Sequence, residues 1–178
     1  MAGKPFPFKG KFNKIDNATY QQIKANMSKK NFKKYVIDDS QFLMAFALFN
    51  KVKETGYNKF TEIAVDFKDL IDFVIKDMPS DTIVYFLHHT ETNENGKIKA
   101  KTSGKMLDNQ LTLEGLFTIV LLAKTDGKEH YFETQSDGFT TCKSPMDMLD
   151  LKIDNDLKMV DEKIREYYEL DKNESEEQ

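Results

Sequence analysis

The stretch FKKYVIDDS, residues 32–40, decides the fold class because a short apolar run ends abruptly at two carboxylates. Its centre, Tyr35-Val36-Ile37, is typical of a short buried strand. Ser40 is a candidate N-cap for a following helix. The helix is predicted from apolar residues at three- and four-residue spacing, with Gly56 as the residue that ends it. The predicted buried face comprises Phe42, Ala45, Phe46, Phe49 and Val52.

Downstream of this stretch, helix and strand patterns alternate. Residues 61–76 carry apolar residues on one stripe and predict a second helix, and residues 82–87 (TIVYFL) are typical of a strand buried on both faces of a parallel sheet. Residues 116–123 and 129–134 predict a hairpin with its turn at Asp126-Gly127. A last amphipathic helix covers residues 157–168. The pattern predicts an α/β protein with a mostly parallel sheet and an antiparallel edge.

The composition limits the number of domains and the classes of protein that the sequence can represent. The 178 residues, 39% of them hydrophobic and 14 of them Phe, suit one domain over residues 1–170, followed by an acidic, disordered tail at 171–178. A single cysteine, Cys142, cannot form an internal disulfide. No apolar run approaches the roughly 20 residues that span a bilayer, and no leader pattern is seen. We therefore expect a cytoplasmic protein without a membrane role.

Asp38 and Asp39 have the form of a Walker B element, in which a carboxylate at the end of an apolar strand holds Mg²⁺ through its water ligands. The alternative is structural, because a carboxylate beside a helix N-terminus also accepts orphan N–H groups. A Walker B element implies a GxxxxGK[ST] phosphate loop, and the sequence contains none. Gly3-Lys4 is followed by Pro5 and does not qualify.

Two histidines and an acid follow the second apolar strand. His88 and His89 are adjacent, so they are expected to point to opposite faces and not to bind one metal as a pair. One of them, with Glu91, can sense a terminal phosphate or position a water molecule. The alternative is a polar strand end. Cys142 has no histidine base nearby in sequence and is not expected to act as a nucleophile.

Residues 93–109 are rich in Asn, Gly and Lys and predict a long functional or mobile loop. Its cations can follow a phosphate backbone, and the alternative is a solvated charged loop. The loop lacks the aromatic residues expected for base stacking. The candidate DNA-binding residues are Lys97, Lys99, Lys101 and Lys105.

Taken together, several segments resemble the phage-encoded RecA-like ATP-binding proteins related to Sak-type single-strand annealing recombinases. The resemblance covers about residues 4–168 and rests on the order and spacing of short motifs. They are YVIDD (35–39), GYNKF (56–60), LHHTE (87–91), KTSGKML (101–107), EGLF (114–117), YFET (131–134) and TCKSPM (141–146).

The resemblance implies a RecA-like core that binds ATP and Mg²⁺, with Asp38 as the Walker B carboxylate and metal ligand. His88 or His89 would end the sensor strand, residues 97–105 would form a DNA-facing loop, and Lys143 would reach a neighbouring subunit's nucleotide. Family members begin with a strand, a phosphate loop and a helix, and this sequence starts just downstream of them.

The expected function is that of a phage recombination or replication accessory protein that binds single-stranded DNA in the host cytoplasm. One alternative is a complete ATPase whose start is not included in the sequence. Another is a noncatalytic protein–protein interaction module on a degenerate NTPase scaffold. Because the implied first strand is missing, residues 35–37 are expected to have an open edge. We expect it to be covered by residues 4–8, by another copy of the chain or by a separate polypeptide.

Overall fold

Four helices and seven short strands occur in the part of the chain that the computed structural model describes, residues 13–104 and 112–171. The chain divides into two units. The first comprises Met1–His89 with Lys101–Thr112, and the second comprises Thr90–Ala100 with Leu113–Gln178. Predicted features outside the described residues are the arm at 4–8, Lys105 and the tail after Asp171.

A parallel strand pair lies at the centre of the first unit. Strand β1 (Lys34–Ile37) pairs with β2 (Ile83–Phe86), with Ile37 opposite Phe86. Both strands were predicted from their apolar runs. Since parallel strands run in the same direction, the polar residues that follow β1 and β2 lie at the same edge of the sheet.

Two helices connect these strands, and the longer one supplies most of the unit's core. Helix α3 (Asn58–Asp77) has the predicted buried stripe and begins three residues earlier than predicted. Helix α2 (Gln41–Asn50) packs against it. The core of this unit consists of Met27, Ile37, Met44, Ile63, Ala64, Phe67, Leu70 and Ile71.

The predicted details of α2 are wrong in three respects. Its buried residues are Gln41 and Met44, whereas Phe46, Phe49 and Val52 of the predicted buried face are exposed. Ser40 makes no capping hydrogen bond with its side chain. The helix ends at Asn50 rather than near Gly56. A helix that is apolar all round has no unique inner face, so its tertiary contacts with α3 decide which residues are covered.

Helix α1 (Tyr20–Met27) was not predicted, although the sequence carries a signal for it. Thr19 and Gln22 form a capping box: Thr19 Oγ1 accepts from the Gln22 backbone N–H at 3.3 Å, and Gln22 Oε1 accepts from the Thr19 N–H at 3.0 Å. These reciprocal bonds satisfy two of the donors left open at a helix start. Helix α1 packs against α3.

The second unit contains two antiparallel sheets and a helix. Strands β3 (Thr90–Thr92) and β4 (Ile98–Ala100) form one hairpin. Strands β5 (Leu122–Asp126) and β6 (Glu129–Glu133) form the predicted hairpin, but its first strand begins at Leu122 rather than at Leu116. Strand β7 (Lys152–Asp154), not predicted, adds to β6. Helix α4 (Leu157–Tyr167) agrees with the prediction. The buried apolar residues are Leu113, Phe132, Cys142, Met148, Val160 and Ile164.

The prediction of one long loop over residues 93–109 is therefore wrong for its first part. Residues 93–97 form a tight turn in which Gly96 has a positive φ of 77°, and residues 98–100 form a strand. The Asn93 side chain stabilises the turn by accepting from the backbone N–H groups of Asn95 and Lys97, at 3.0 and 2.9 Å. The chain is a mixed α/β protein as predicted. Its described strands form three small sheets, one parallel and two antiparallel, rather than a single mostly parallel sheet.

Within the described ranges, no helix combines the length and the apolar character needed to cross a lipid bilayer.

Candidate functional site

The predicted site residues of the first unit meet where β1 and β2 end. Asp38, Asp39 and Ser40 follow β1, and His88 and His89 follow β2. The two strand ends are joined by main-chain hydrogen bonds on both sides of this point. The Leu87 N–H donates to Ile37 O at 3.0 Å, and the Ser40 N–H donates to Leu87 O at 2.8 Å.

Ser40 and His88 form the buried part of this edge. Ser40 Oγ lies 2.8 Å from His88 Nδ1 and 3.1 Å from Leu87 O. On its other side, His88 Nε2 lies 2.8 Å from Lys101 O. The imidazole also packs edge-on against Phe67, with the ring centroids 5.8 Å apart.

The contact with Lys101 O identifies the tautomer of the neutral imidazole. A backbone carbonyl can only accept, so Nε2 of His88 carries the proton that it donates to Lys101 O. In the neutral ring Nδ1 is then an acceptor, and the single proton of the Ser40 hydroxyl is shared between Nδ1 and Leu87 O. Although a serine paired with a histidine suggests a nucleophile and its base, Ser40 is 0% exposed, so no substrate reaches its Oγ. The pair therefore stabilises the two strand ends and residue 101.

Asp39 and His89 form the exposed part of the same edge. His89 Nε2 lies 3.1 Å from Asp39 Oδ1, and the His89 ring packs edge-on against Phe42, with the centroids 5.4 Å apart. Asp39 has a positive φ of 54°, which aspartate tolerates better than most residues. The two adjacent histidines, which lie between β2 and β3 rather than in a strand, thus reach different partners.

Asp38 differs from its neighbours because its carboxylate makes no hydrogen bond or ion pair in the described part of the chain. It is half-buried, directly after β1. A free carboxylate at the carboxyl end of a parallel strand fits a Mg²⁺ ion held largely through water, which needs only one or two protein oxygens. Over the described ranges, no three His, Cys, Asp or Glu side chains are grouped closely enough to hold a metal ion themselves.

Among the described residues, the edge that carries Asp38 has few groups that could bind phosphate. The sequence has no GxxxxGK[ST] segment, and the hydroxyl nearest Asp38 in sequence, that of Ser40, is committed to Leu87 and His88. The described residues therefore offer a single carboxylate at Asp38 and do not form a complete triphosphate site.

The remaining predicted residues are divided between the two units. Glu91 belongs to the second unit, where it pairs with Lys99 across the β3–β4 hairpin at 3.1 Å. Lys97 is exposed in the turn of that hairpin. Lys101 belongs to the first unit, where its N–H donates to His89 O at 2.9 Å and its carbonyl accepts from His88.

Lys143 and Cys142 lie together in the second unit. Lys143 forms an isolated antiparallel bridge with Val120, with N–O distances of 2.8 and 2.9 Å, and its half-buried side chain makes no ion pair in the described ranges. Cys142 is buried. Burial raises the pKa of its thiol, and a hydrogen bond with Thr140 partly offsets the increase. A raised thiol pKa disfavours the thiolate.

Two contacts were not predicted: that of Ser40 with His88, and that of Phe139 with β4. The Ser40–His88 contact could have been found, because residues just beyond two paired parallel strands end at one edge. Phe139 carried no signal, because only folding places it beside β4: the Ile98 N–H donates to Phe139 O at 2.7 Å across 41 positions of sequence.

Comparison with protein-family models, with curated proteins and with solved structures gives no match for this chain.

Proposed function

We propose that this protein binds single-stranded DNA as an accessory factor in phage recombination or replication, and that it descends from a RecA-like ATPase. The observation that carries the proposal is the β3–β4 hairpin, which follows the end of β2 directly and presents lysines. This is the order that the resemblance implies for a DNA-facing segment after the sensor strand.

The charges of the hairpin support weak contact with a phosphate backbone. Lys97 is exposed and makes no ion pair among the described residues, and Asn93 fixes its backbone position. Lys99 is paired with Glu91 and contributes less. With one or two phosphate contacts, the logarithm of the binding constant should fall with the logarithm of the salt concentration with a slope of about −0.7 to −1.4.

The test is fluorescence anisotropy with a labelled oligothymidylate at several salt concentrations. Lys97→Glu should weaken binding about fivefold or more, because it removes a contact worth about 1 kcal/mol and adds repulsion. Lys128→Glu is the matched control, since Lys128 is an exposed turn lysine in the same unit. If the unaltered protein does not bind the oligonucleotide, or if both variants lose affinity equally, the proposal is wrong.

Magnesium and ATP belong to this proposal through Asp38. The open Asp38 carboxylate would hold hydrated Mg²⁺, which neutralises phosphate charge when a nucleotide is bound. Lys143 is the residue proposed to contact a nucleotide bound by a neighbouring subunit. Calorimetry with Mg²⁺ and ATP, with Asp38→Ala as the control, decides the point. Binding that this variant weakens supports a surviving nucleotide site, and no binding restricts the proposal to DNA.

The second candidate function is a noncatalytic protein-interaction module, and one observation favours it. Helix α2 contains no charged residue, yet Phe46 and Phe49 are exposed, as is Val52 just beyond its end. Exposed apolar clusters of this kind are typical of interaction surfaces. For this candidate, Lys97→Glu should leave self-association unchanged, whereas for the DNA candidate it reduces salt-sensitive binding.

A further inference from the structure

One exposed aromatic side chain of the second unit is held in a fixed loop. Phe139 is 61% exposed. Its N–H donates to Asp137 Oδ1 at 2.8 Å, the Gly138 N–H donates to Ser136 Oγ at 3.1 Å, and Ser136 Oγ donates to Thr140 O at 2.6 Å. Because these bonds already order the backbone, a ligand that stacks on the ring meets little additional entropic cost.

The same loop is attached to the lysine hairpin. The hydrogen bond from the Ile98 N–H to Phe139 O joins the loop to β4 at 2.7 Å. Ile98 lies between Lys97 and Lys99 in the chain. The main chain of Phe139 therefore lies beside that of Ile98, the residue next to the exposed Lys97. Phe139 is an aromatic residue of the kind that the hairpin's own sequence lacks.

We infer that Phe139 is a stacking platform for a base of single-stranded DNA, with Lys97 contacting a phosphate of the same strand. The inference deepens the proposed function and rests on it. Stacking on an aromatic side chain tolerates any base, since every base has a π-face. The local charge does not favour a polyanion, because the carboxylates of Glu91, Glu94 and Asp137 outnumber the two hairpin lysines, so stacking has to supply most of the affinity. Affinity at this site should depend on stacking more than on charge.

The first experiment replaces Phe139 by a fluorescent tryptophan. The protein contains no tryptophan, so Phe139→Trp introduces a single indole whose emission can be excited selectively. Oligothymidylate should quench this emission, and an abasic oligonucleotide of equal length should not. Leu151→Trp is the control, because Leu151 is 73% exposed in the same unit and should show no quenching with either ligand.

The second experiment measures affinity. Phe139→Ala should weaken binding to oligothymidylate by about tenfold, within the range expected for loss of one stacked base. Binding to the abasic strand should change less than about twofold, and Phe139→Tyr should retain the affinity of the unaltered protein. Circular dichroism verifies that each variant is folded.

The outcomes distinguish a failure of DNA binding as a whole from a failure of the stacking site alone. If the unaltered protein binds no single-stranded DNA, the proposed function fails and the stacking site fails with it. If the protein binds but Phe139→Ala binds oligothymidylate equally well, only the stacking site is wrong, and the proposed function remains. Equal losses for the base-containing and the abasic strand would also overturn the stacking role.

Discussion

Ser40 connects the two strand ends at the β1–β2 edge through both its main chain and its side chain. Its N–H and hydroxyl together contact Leu87 O and His88 Nδ1, so one side chain and its own amide connect the start of α2 to the end of β2. A buried hydroxyl with two partners cannot be removed without leaving a polar atom unpaired. The role is structural, and a sequence pattern alone suggests a helix cap instead.

We expect Ser40→Ala to lower the free energy of unfolding by about 1–3 kcal/mol, because it removes a buried hydroxyl together with its contacts to Leu87 O and His88 Nδ1. Urea unfolding measures the change. Ser28→Ala is the matched control, since Ser28 Oγ donates to Lys24 O on an exposed helix end, and its effect should stay within about 0.5 kcal/mol. Equal effects of the two substitutions would show that the Ser40–His88 contact is not stabilising.

Tyr20 gives a prediction about pH. Its hydroxyl is buried and has no hydrogen-bond partner in the described part of the chain. Burial, and to a smaller extent the charge of Asp66, raises the pKa of this phenol well above its usual range. The unfolded chain releases the proton near pH 10, whereas the folded protein retains it to higher pH. Tyr20 therefore costs stability progressively as the pH rises above about 10.

Tyr20→Phe should remove that alkaline loss. At pH 7 we expect the variant to be more stable than the unaltered protein by about 1 kcal/mol, since it deletes an unsatisfied hydroxyl. The difference should widen by up to about 1.4 kcal/mol per pH unit above pH 10. Thermal or urea unfolding from pH 7 to 11 measures it. A difference that stays constant or narrows over this range would contradict the assignment.

Among the elements, those with a strong intrinsic pattern were predictable. Helix α3 is long and amphipathic, and β2 is a continuous apolar run, so both were found. Helix α2 was found, but its buried face was not, because apolar residues surround the whole helix. Strand β7 is only three residues long, and its pairing with β6 depends on a contact that no local pattern encodes. The Thr19–Gln22 capping box is a sequence signal that would predict the start of α1.

The β3–β4 hairpin shows how a polar composition can conceal regular structure. Asn93 Oδ1 accepts two backbone N–H groups and replaces the main-chain bonds of a longer turn. We expect Asn93→Ala to accelerate amide hydrogen exchange at Lys97 about fivefold, with little effect on global stability, because a side-chain acceptor worth about 1 kcal/mol is lost locally. Hydrogen exchange followed by NMR measures it.

Asn95→Ala is the control for this prediction, since Asn95 contributes its backbone N–H to the turn rather than its side chain. Its effect on the Lys97 amide should be small. If the two substitutions alter exchange equally, the Asn93 side chain does not hold the turn, and the fixed position of Lys97 loses its support.

For the whole molecule, the placement of the chemistry follows the division into two units. The carboxylates and histidines at the β1–β2 edge belong to the first unit, and Lys97, Lys143 and Phe139 belong to the second. The sequence predicted which strand ends carry polar residues, because apolar runs stop there. It could not predict that Ser40 and His88 are mutually satisfied or that Phe139 joins the hairpin, since both depend on long-range packing.

The uncovered surface of α2 leads to a prediction of self-association. Phe46, Phe49 and Val52 recur every third residue, so they lie on one side of the helix and the turn after it. This surface has no charge with which to select a charged partner. In a two-fold dimer the same apolar surface of a second copy would cover it, because both subunits contribute the same residues. We therefore expect concentration-dependent dimers in sedimentation velocity experiments.

Phe49→Glu should shift this equilibrium to the monomer, because dimerisation would bury an unpaired carboxylate. Phe49 is 73% exposed, so the fold should tolerate the change. Ile75→Glu is the matched control: Ile75 is 62% exposed on α3 of the same unit, and the variant should dimerise as the unaltered protein does. A protein that stays monomeric at all concentrations would rule out a second copy on this surface. Loss of dimers in both variants would show that the added charge, rather than the α2 surface, controls association.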